Sequence, residues 1–276
     1  MFSRTSAGFA AALITSVLTV PAQAASGKLR VLTYNVAGLP DGVMTAHPSS
    51  NMPRIGELLG NYDLVFVQED FAYAAELRQK LSLPYASEPF VRGGKLDFGD
   101  GLSQFSRLPF EGYRRVPWRA CNGIVDSYFD CLTPKGFTVA RQTLAPGVEV
   151  DVYNLHMDAG GSSADANARE TQLQQLAEAI VQGSAGRAVI VAGDTNIPAR
   201  QRALLDRFEK ETGLTDACEA LNCPEPRRID RVLFRGSESL RIEARRYGID
   251  RRFVDRDKRP LSDHLAVVVE LEWMRP

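Results

Sequence analysis

Residues 188–196 read Ala-Val-Ile-Val-Ala-Gly-Asp-Thr-Asn, an apolar run that stops at a carboxylate, Asp194, and a carboxamide, Asn196. This pattern predicts a buried strand whose carboxyl end opens into a polar site. Ligands of open α/β sheets bind in the crevice outside the strand ends, so the polar pair is a candidate site. Taken alone, the pair is better explained as a cap for a helix that begins at Pro198. The interpretation as a site therefore depends on whether other strands carry similar groups.

Several other predicted strands do carry polar side chains at one end. The strands are predicted at 28–35, 63–70, 102–107, 136–144, 148–156, 188–194, 230–234 and 265–271, and the helices at 54–59, 71–81, 166–181 and 200–212. The polar residues at the strand ends are Asn35, Glu69, His156, Asp194, Asn196, Asp230, Asp263 and His264. Strands that end at a polar group and strands that begin at one present those groups on the same edge when they run antiparallel. We therefore expect one shared site.

The clearest predicted helix covers residues 166–181. Leu173, Leu176 and Ile180 are among the apolar residues that recur at helical spacing. On this pattern Gln172 and Gln175, together with Glu170, are expected to face solvent.

Residues 1–24 have the pattern of a secretory signal peptide. Arg4 is the only charge, an apolar stretch covers residues 9–20, and Ala22-Gln23-Ala24 has the small-x-small form of a cleavage site. We therefore expect an exported protein, periplasmic or secreted, with residues 25–276 forming a single domain. Removing Arg4 from the 33 Lys and Arg leaves 32 against 34 Asp and Glu, a net charge near −2. That balance does not favour bulk nucleic-acid binding.

Four cysteines fit an oxidising compartment. They allow three pairings, of which Cys121–Cys131 and Cys218–Cys223 close the shortest loops and are the pairs we expect. A zinc site is disfavoured because there is no C-x-x-C pair and no histidine near the cysteines.

The polar groups at the strand ends are mostly hard oxygen donors. Carboxylate and amide oxygens suit magnesium, manganese or calcium, and too few imidazole and thiolate groups remain for a zinc cage. Only three histidines occur in the chain, and two of them, His156 and His264, belong to this set. The sequence thus predicts a divalent-metal site with histidines beside it.

The ordered motifs resemble those of the endonuclease/exonuclease/phosphatase superfamily. The motifs are Tyr34-Asn35, Gln68-Glu69, Asn154-Leu155-His156, Gly193-Asp194-Thr195-Asn196, Ile229-Asp230-Arg231 and Ser262-Asp263-His264. This superfamily includes pancreatic-type deoxyribonucleases, apurinic endonucleases, inositol polyphosphate 5-phosphatases and sphingomyelinases. The resemblance implies the deoxyribonuclease I-like fold, a four-layer α/β/β/α sandwich of two mixed, mainly antiparallel sheets packed face to face with helices outside. It also implies a hydrolase that acts on phosphate esters.

The resemblance also implies a role for each site residue. Asn35 and Glu69 would hold a divalent metal, usually Mg²⁺, with Asp263 as a further ligand. His264, oriented by Asp230, would activate the attacking water, and Asp194 competes with it as the base. The groups that position the water and the scissile phosphate would be Asp194 and Asn196, while His156 would donate to a phosphate oxygen. No covalent enzyme intermediate is required.

Within the superfamily, short matches favour a lipid phosphodiester over DNA. Glu69-Asp70-Phe71 and His156-Met157-Asp158-Ala159 resemble sphingomyelinase motifs, as does Arg169-x-x-Gln172, whereas pancreatic-type deoxyribonucleases have arginine where Phe71 stands. The segment 116–131 carries aromatic residues that either contact a membrane or pack on the sandwich. No obligate protein partner is inferred.

Two alternatives stay open. Residues 227–259 hold 12 Arg or Lys and 6 Asp or Glu, a local charge of +6 that is either a phosphate-backbone track of a secreted nuclease or a solvated, partly paired face. A non-catalytic binding protein on the same fold would show a gap in the catalytic set at His156 or His264. The sequence has no such gap, which disfavours that alternative.

Overall fold

The computed structural model describes residues 25–43, 47–90, 99–123, 130–225 and 228–276. The helices are α1 (Pro48–Leu59), α2 (Ala74–Arg78), α3 (Ser163–Gly183), α4 (Arg202–Thr212) and α5 (Ala217–Ala220), with a 3-10 turn at Ala199–Gln201. The strands are β1 (Ser26–Asn35), β2 (Leu64–Gln68), β3 (Tyr85–Ala86), β4 (Ser103–Ser106), β5 (Phe110–Pro117), β6 (Gly136–Ala145), β7 (Val148–His156), β8 (Val189–Asp194), β9 (Thr215–Asp216), β10 (Asp230–Arg235), β11 (Arg241–Ile249) and β12 (Val267–Met274). The predicted signal peptide, 1–24, lies outside the described residues.

The strands form two six-stranded sheets within the described part of the chain. Sheet 1 has the order β11-β12-β1-β2-β4-β3, and sheet 2 has the order β5-β6-β7-β8-β10-β9. The pairs β1–β2 and β7–β8 are parallel, and the other pairs are antiparallel. Both sheets are therefore mixed and mainly antiparallel, as the sequence predicts.

Three apolar clusters hold four layers together. The inner faces of the two sheets meet in one cluster, where Val31 and Phe66 of sheet 1 and Val152 and Ile190 of sheet 2 are fully buried. A second cluster packs α1 against the outer face of sheet 1, and a third packs α3 and α4 against sheet 2. Since β8 is covered on both faces, all six of its residues are buried, and its sequence is continuously apolar up to Asp194. The four-layer sandwich is confirmed.

The helix predicted over 71–81 is wrong in extent, because only Ala74–Arg78 is helical. The amides that would begin the longer helix are used elsewhere: the Phe71 amide donates to the Glu69 carbonyl at 2.8 Å and the Ala72 amide donates to the Gly38 carbonyl at 2.9 Å. The chain after Glu69 is thus a loop bonded to the loop after β1.

The prediction that Gln172 and Gln175 face solvent is also wrong, since both are buried on α3. The Gln172 side chain accepts from the Asp158 amide at 3.1 Å and donates to the Asp158 carboxylate at 2.6 Å. Gln175 donates to the Pro117 carbonyl at 3.0 Å. Their polar groups bond to loops of sheet 2, which the periodicity of the helix does not reveal.

Two long strands, β5 and β11, were not predicted. Both are edge strands of their sheets, and both are rich in charged or polar residues. The β11 arginines form ion pairs on the solvent-facing surface, for example Arg245 with Glu272 at 2.5 Å. Charged residues are common on edge strands and hide the alternation that identifies a strand.

Within the described residues, no helix is long and apolar enough to span a membrane.

The N-terminus of α3 generates a stability prediction. Ser162 accepts from the Asp165 amide at 3.1 Å, and the Asp165 side chain accepts from the Ser162 amide at 2.7 Å, which is a capping box. We expect Ser162→Ala to lower the free energy of unfolding by about 1 kcal/mol, because it leaves a helix-end amide without its acceptor.

The matched control is Ser163→Ala, which changes the neighbouring exposed serine inside the helix. Equilibrium urea denaturation of both variants measures the difference. Equal stabilities for the two variants would contradict the prediction.

Candidate active site

The polar strand ends meet at one end of the sandwich because of strand direction. In sheet 2, His156 pairs with Asp194 in the parallel β7–β8 ladder, and Asp230 pairs with Asp194 in the antiparallel β10–β8 ladder. In sheet 1, Asn35 pairs with Gln68 at the ends of the parallel strands β1 and β2. Strands that end and strands that begin at a polar residue therefore contribute to one site, as the sequence predicts.

Asp194 lies at the centre of this site and is 1% exposed. Its Oδ2 accepts from Asn35 Nδ2 at 3.2 Å and from Asn196 Nδ2 at 3.3 Å. The same oxygen lies 3.5 Å from His156 Nε2 and 3.7 Å from His264 Nε2. Burial raises the pKa of the Asp194 carboxyl, and the charge of Asp230 raises it further. Asp194 therefore contacts both carboxamides and faces both imidazoles of the site.

His264 is held between two carboxylates. Its Nδ1 lies 3.0 Å from one oxygen of Asp230, and its Nε2 faces Asp194. The His264 amide donates to Ser262 Oγ at 3.1 Å, and that hydroxyl donates to the Asn35 carbonyl at 2.7 Å, which ties the loop before β12 to the end of β1. Burial lowers the pKa of His264, but the charges of Asp230 and Asp194 outweigh it and raise the pKa to about 10.

His156 has the opposite electrostatic setting. Its side chain is 2% exposed, and burial holds its pKa well below the usual range, with the positive charges of Lys135 and His264 lowering it further. Its Nε2 lies 3.5 Å from Asp194 and 3.8 Å from Glu69, whereas its Nδ1 has no hydrogen-bond partner among the described residues. Since a lowered pKa favours the neutral form and Nε2 is the ring nitrogen that faces the two carboxylates, we expect a neutral imidazole with its proton on Nε2.

Glu69 adopts a backbone conformation that is unfavourable for its residue type. Its φ is 57°, and its side chain accepts from Asn35 Nδ2 at 2.8 Å. The Gly38 amide donates to the Glu69 carbonyl at 3.0 Å, and a Cβ on Gly38 would lie 2.3 Å from that oxygen. Only glycine allows this approach, which holds the strained turn. Burial raises the pKa of the Glu69 carboxyl. A second site residue, Asn196, has a comparable positive φ of 49°.

A divalent cation fits the donor set. Burial raises the pKa of both Glu69 and Asp194 because it disfavours their ionised forms, and a cation bound beside them would compensate that cost. Asp194, Asp230 and His264 also offer ligand atoms within 4.8 Å of one another. Asn35 turns its nitrogen to the carboxylates while its oxygen accepts from the Ala37 amide at 3.0 Å. Asn35 would therefore have to exchange the two ends of its amide to bind a metal through oxygen.

The structure does not bring every predicted residue into the cluster. Asp263 is exposed, and the one hydrogen bond of its side chain in the described part of the chain is with Ser262 Oγ at 3.4 Å. Its role as a metal ligand stays a prediction. Asn196 does belong to the site, because its Nδ2 bonds both Asp194 and the Met157 carbonyl, the latter at 3.0 Å.

Lys135 is a site residue that the sequence did not reveal. Its buried ammonium pairs with Asp130 and lies 3.4 Å from the Met157 carbonyl oxygen. Its positive charge acts to lower the pKa of His156, and it opposes the effect of burial on the pKa values of Glu69 and Asp194. Lys135 immediately precedes β6, in a segment without a strand-end pattern. No local sequence pattern marks Lys135, because its role depends on its proximity to Glu69, His156 and Asp194, which lie at the ends of other strands in both sheets.

The two disulfides join the predicted pairs, Cys121–Cys131 and Cys218–Cys223. Within the segment 116–131, Trp118 packs against Phe137 and donates from Nε1 to the His156 carbonyl at 2.7 Å. Trp118 therefore packs on the sandwich. The aromatic and aliphatic residues at 124–129, on which the predicted membrane contact depends, lie outside the described residues.

The pKa values of the two site histidines, His264 and His156, should be shifted in opposite directions from the usual value. In metal-free protein at about pH 7.5, we expect His264 to be a doubly protonated imidazolium and His156 a neutral imidazole, because a raised pKa keeps a proton bound and a lowered one releases it. The ¹⁵N chemical shifts of the imidazoles measure this directly, since the chain has only three histidines.

Assignment uses His156→Gln, His264→Gln and His47→Gln variants. In Asp230→Asn, the pKa of His264 should fall, because a neutral partner no longer stabilises the imidazolium. A neutral His264 in the wild-type protein would contradict the electrostatic account.

Comparison with known proteins agrees with this geometry. The model of the endonuclease/exonuclease/phosphatase family matches residues 32–264. The sphingomyelinases of Mycobacterium tuberculosis and Mycobacterium bovis are 35% identical over 284 residues, which cover 92% of this chain and 54% of theirs. The chain thus spans about half the length of these curated relatives.

Solved structures share the fold. A Staphylococcus aureus beta toxin mutant with bound magnesium ions has a TM-score of 0.65 at 16% identity, covering 88% of this chain and 99% of that chain. D. rerio TDP2 complexed with a single-strand DNA product has a TM-score of 0.69 at 18% identity, covering 88% and 98%. With its motifs, its sheet topology and the extent of the sequence match, this chain belongs to the endonuclease/exonuclease/phosphatase family.

Proposed function

We propose that this protein is an exported, divalent-metal-dependent phosphodiesterase that hydrolyses the phosphocholine ester of a sphingomyelin-type lipid. The observation that carries the hydrolytic part is the array in which Asp230, His264, Asp194 and His156 contact one another in order. The choice of lipid is supported by 35% identity to mycobacterial sphingomyelinases. Export is supported by the two disulfides, which persist in oxidising compartments.

The proton from the attacking water goes to the Asp194–His264 pair. These groups lie 3.7 Å apart, and burial together with Asp230 raises the pKa of Asp194 while Asp230 and Asp194 raise that of His264. Two ionisable groups this close titrate as a unit. The raised pKa of His264 places the first proton of the pair on its imidazole, so Asp194 is the member that accepts the proton from water. Asp230 orients the ring of His264 through Nδ1. Asn196 and Asp194 position the water and the phosphate.

On the side away from the Asp194–His264 pair, the phosphate would face the groups that stabilise its negative charge. Neutral His156 donates from Nε2 to a phosphate oxygen as negative charge builds during attack. Lys135 adds a positive charge beside the same groups. The attacking oxygen forms a bond to phosphorus, and the bond from phosphorus to the lipid oxygen breaks. The leaving oxygen takes up a proton from water, so the products are phosphocholine and the neutral lipid alcohol.

Glu69 and Asn35, with Asp263 as a further predicted ligand, would hold the metal, Mg²⁺ being the expected ion. A divalent cation in that position supplies Lewis-acid stabilisation of charge on the phosphate and on the leaving oxygen. The protein prepares this position by burying Glu69 in a strained turn next to Asp194.

The first test is hydrolysis of sphingomyelin vesicles, duplex DNA and bis-p-nitrophenyl phosphate, with added Mg²⁺ or with EDTA. We expect phosphocholine release that requires the metal and falls by about 10³-fold or more in His264→Ala, because Asp194 loses the imidazole with which it exchanges protons and charge. The matched control is His47→Ala, which changes the exposed histidine at the N-cap of α1 and should retain activity.

DNA cleavage with inert vesicles would replace the lipid substrate by nucleic acid. Inactivity of folded, metal-loaded protein on all three substrates would refute the proposed function.

The arginine-rich segment does not form a continuous track for nucleic acid. Arg227 lies outside the described residues, and most of the other cations have partners on the protein. Arg228 and Arg231 bond Asp216, and Arg235 donates to the Ser184 carbonyl at 2.8 Å. The arginines of β11 pair with glutamates, namely Arg241 and Arg245 with Glu243, Arg245 with Glu272, and Arg246 with Glu270. Paired cations release few counterions on binding DNA, so this arrangement favours the lipid substrate.

Apolar side chains around the site support a lipid surface as the place of action. We define the apolar rim as Val43, Leu132 and Leu265, which are 60%, 61% and 51% exposed. Val43 follows β1, Leu132 precedes β6, and Leu265 directly follows His264, so all three lie on loops at the catalytic end. Single exposed apolar residues need no explanation, but three around one site mark an interaction surface.

If the apolar rim contacts the membrane, its loss should lower hydrolysis of lipid in bilayers but not hydrolysis of a soluble phosphodiester. The double variant Leu132→Ser with Leu265→Ser should hydrolyse sphingomyelin vesicles about tenfold more slowly, because it loses apolar area that would enter the interface. Its activity on bis-p-nitrophenyl phosphate should be unchanged. Val181→Ser is the matched control, since Val181 is 43% exposed near the end of α3, away from the site. An equal loss on both substrates would contradict an interfacial role.

A further inference from the structure

Asp216 is a buried carboxylate behind the catalytic loop, and the proposed mechanism does not use it. It is 1% exposed and lies in β9, where it pairs with Leu233 of β10. Its Oδ2 accepts from Arg228 Nη2 at 2.8 Å and from Arg231 Nη1 at 2.9 Å. Among the described residues, Asp216 is the only carboxylate paired with Arg231.

Arg231 connects Asp216 to the catalytic loop. The loop after β8 consists of Thr195, Asn196 and Ile197. Arg231 Nη2 donates to the Ile197 carbonyl at 3.3 Å and to the Arg228 carbonyl at 3.1 Å. Arg231 is 3% exposed, so its guanidinium is directed at these partners from inside the fold.

The loop is anchored on both sides of Asn196, because the Thr195 amide and hydroxyl donate to the Ile229 carbonyl at 3.0 and 2.6 Å and Arg231 holds Ile197. Asn196 has a φ of 49°, in the left-handed region that asparagine tolerates better than most residues with a side chain. In that conformation its Nδ2 reaches Asp194 Oδ2 at 3.3 Å and the Met157 carbonyl at 3.0 Å. Strained conformations at functional sites persist only where the surroundings hold them. The bond from Arg231 to Ile197 acts on the residue directly after Asn196.

Asp216 is itself fixed from the other side. Its Oδ1 caps α5 by accepting from the Cys218 amide at 2.9 Å, and the Cys218–Cys223 disulfide closes the segment that follows. A single carboxylate therefore faces one helix end and three cations, namely Arg228, Arg231 and, at 4.0 Å, Arg202. Asp230, which orients His264, is the residue directly before Arg231, so the same anchor borders a second site residue.

We propose that Asp216 is a positioning residue, which acts through Arg231 to hold Asn196 and Asp194 in the geometry that the reaction requires. It does not touch the substrate. Burial of Arg231 is tolerated because Asp216 compensates its charge, and loss of that charge leaves an unpaired cation directly behind the loop. The inference rests on the proposed function for its kinetic effect, but its structural effect stands without it.

The test is Asp216→Asn, which keeps the size of the side chain and its ability to cap α5 but removes the charge. We expect kcat for bis-p-nitrophenyl phosphate to fall by about ten- to hundredfold with little change in KM, because displaced groups cost transition-state stabilisation more than binding. Hydrogen exchange, followed by mass spectrometry of the peptide that contains residues 195–197, should become faster. The matched control is Glu178→Gln, which removes the exposed carboxylate that pairs with Arg119 at 2.8 Å and should change neither quantity.

A second variant keeps the test decisive if Asp216→Asn folds poorly. The combination Asp216→Asn with Arg231→Met removes the buried Asp216–Arg231 ion pair, and Arg228 keeps its contact with Glu219 at 3.4 Å, so thermal stability should recover towards the wild-type value. The loop still lacks its anchor, so kcat should stay low and exchange of the 195–197 peptide should stay fast. Recovery of kcat and exchange together with stability would show a purely structural role and overturn the proposal.

The outcomes separate this inference from the proposed function. Unchanged kcat and unchanged exchange in Asp216→Asn would refute the positioning role while leaving the phosphodiesterase intact. Faster exchange in a protein whose wild type is inactive on every phosphodiester would refute the proposed function while leaving the anchor intact.

Discussion

Burial of the Asp194 carboxylate is the constraint on which the site depends. A carboxylate removed from water needs hydrogen bonds or opposite charge around it, and here it receives donors from Asn35 and Asn196 and faces two imidazoles. The two histidines respond differently to the same environment. The charges of Asp230 and Asp194 raise the pKa of His264, whereas burial lowers the pKa of His156, with Lys135 and His264 lowering it further. The same cluster of buried groups therefore shifts the pKa values of its two histidines in opposite directions.

The sandwich supplies this environment through backbone geometry. The parallel pair β7–β8 and the antiparallel pair β8–β10 place His156 and Asp230 on either side of Asp194. Gly193, whose φ is 147°, allows β8 to approach the Leu155 carbonyl, where a Cβ would lie at 2.1 Å. Strained turns at Glu69 and Asn196 then direct their side chains back towards the strand ends. The core is rigid on both faces of β8, so this strain is held by packing rather than relaxed.

Polar and charged residues that look alike in the sequence are buried in some places of the fold and exposed in others. The arginine-rich last third divides into an exposed, paired group on the edge strand β11 and a buried group around Asp216. The exposed group protects a sheet edge, and the buried group lies behind the catalytic loop. Polar residues of α3 divide in the same way, since Gln172 and Gln175 are buried and hold the loops next to the site. Local composition alone does not distinguish these groups.

The sequence by itself determined which residue types end each central strand, and it predicted from them one shared polar site. The fold class followed from the resemblance of the ordered motifs to a known superfamily, and the disulfide pairs from the shortest loop closures. This was possible because alternation, apolar runs and the polar residues that terminate them are local properties of the chain. Only the tertiary structure decided the extent of α2, the burial of Gln172, and the places of Lys135 and Asp216. The positions of these residues depend on contacts between segments far apart in sequence, and the two edge strands were missed because their charged residues mask the alternation. The tertiary structure also decided the protonation of His156 and His264, because pKa values depend on burial and on the distances between charges from different strands.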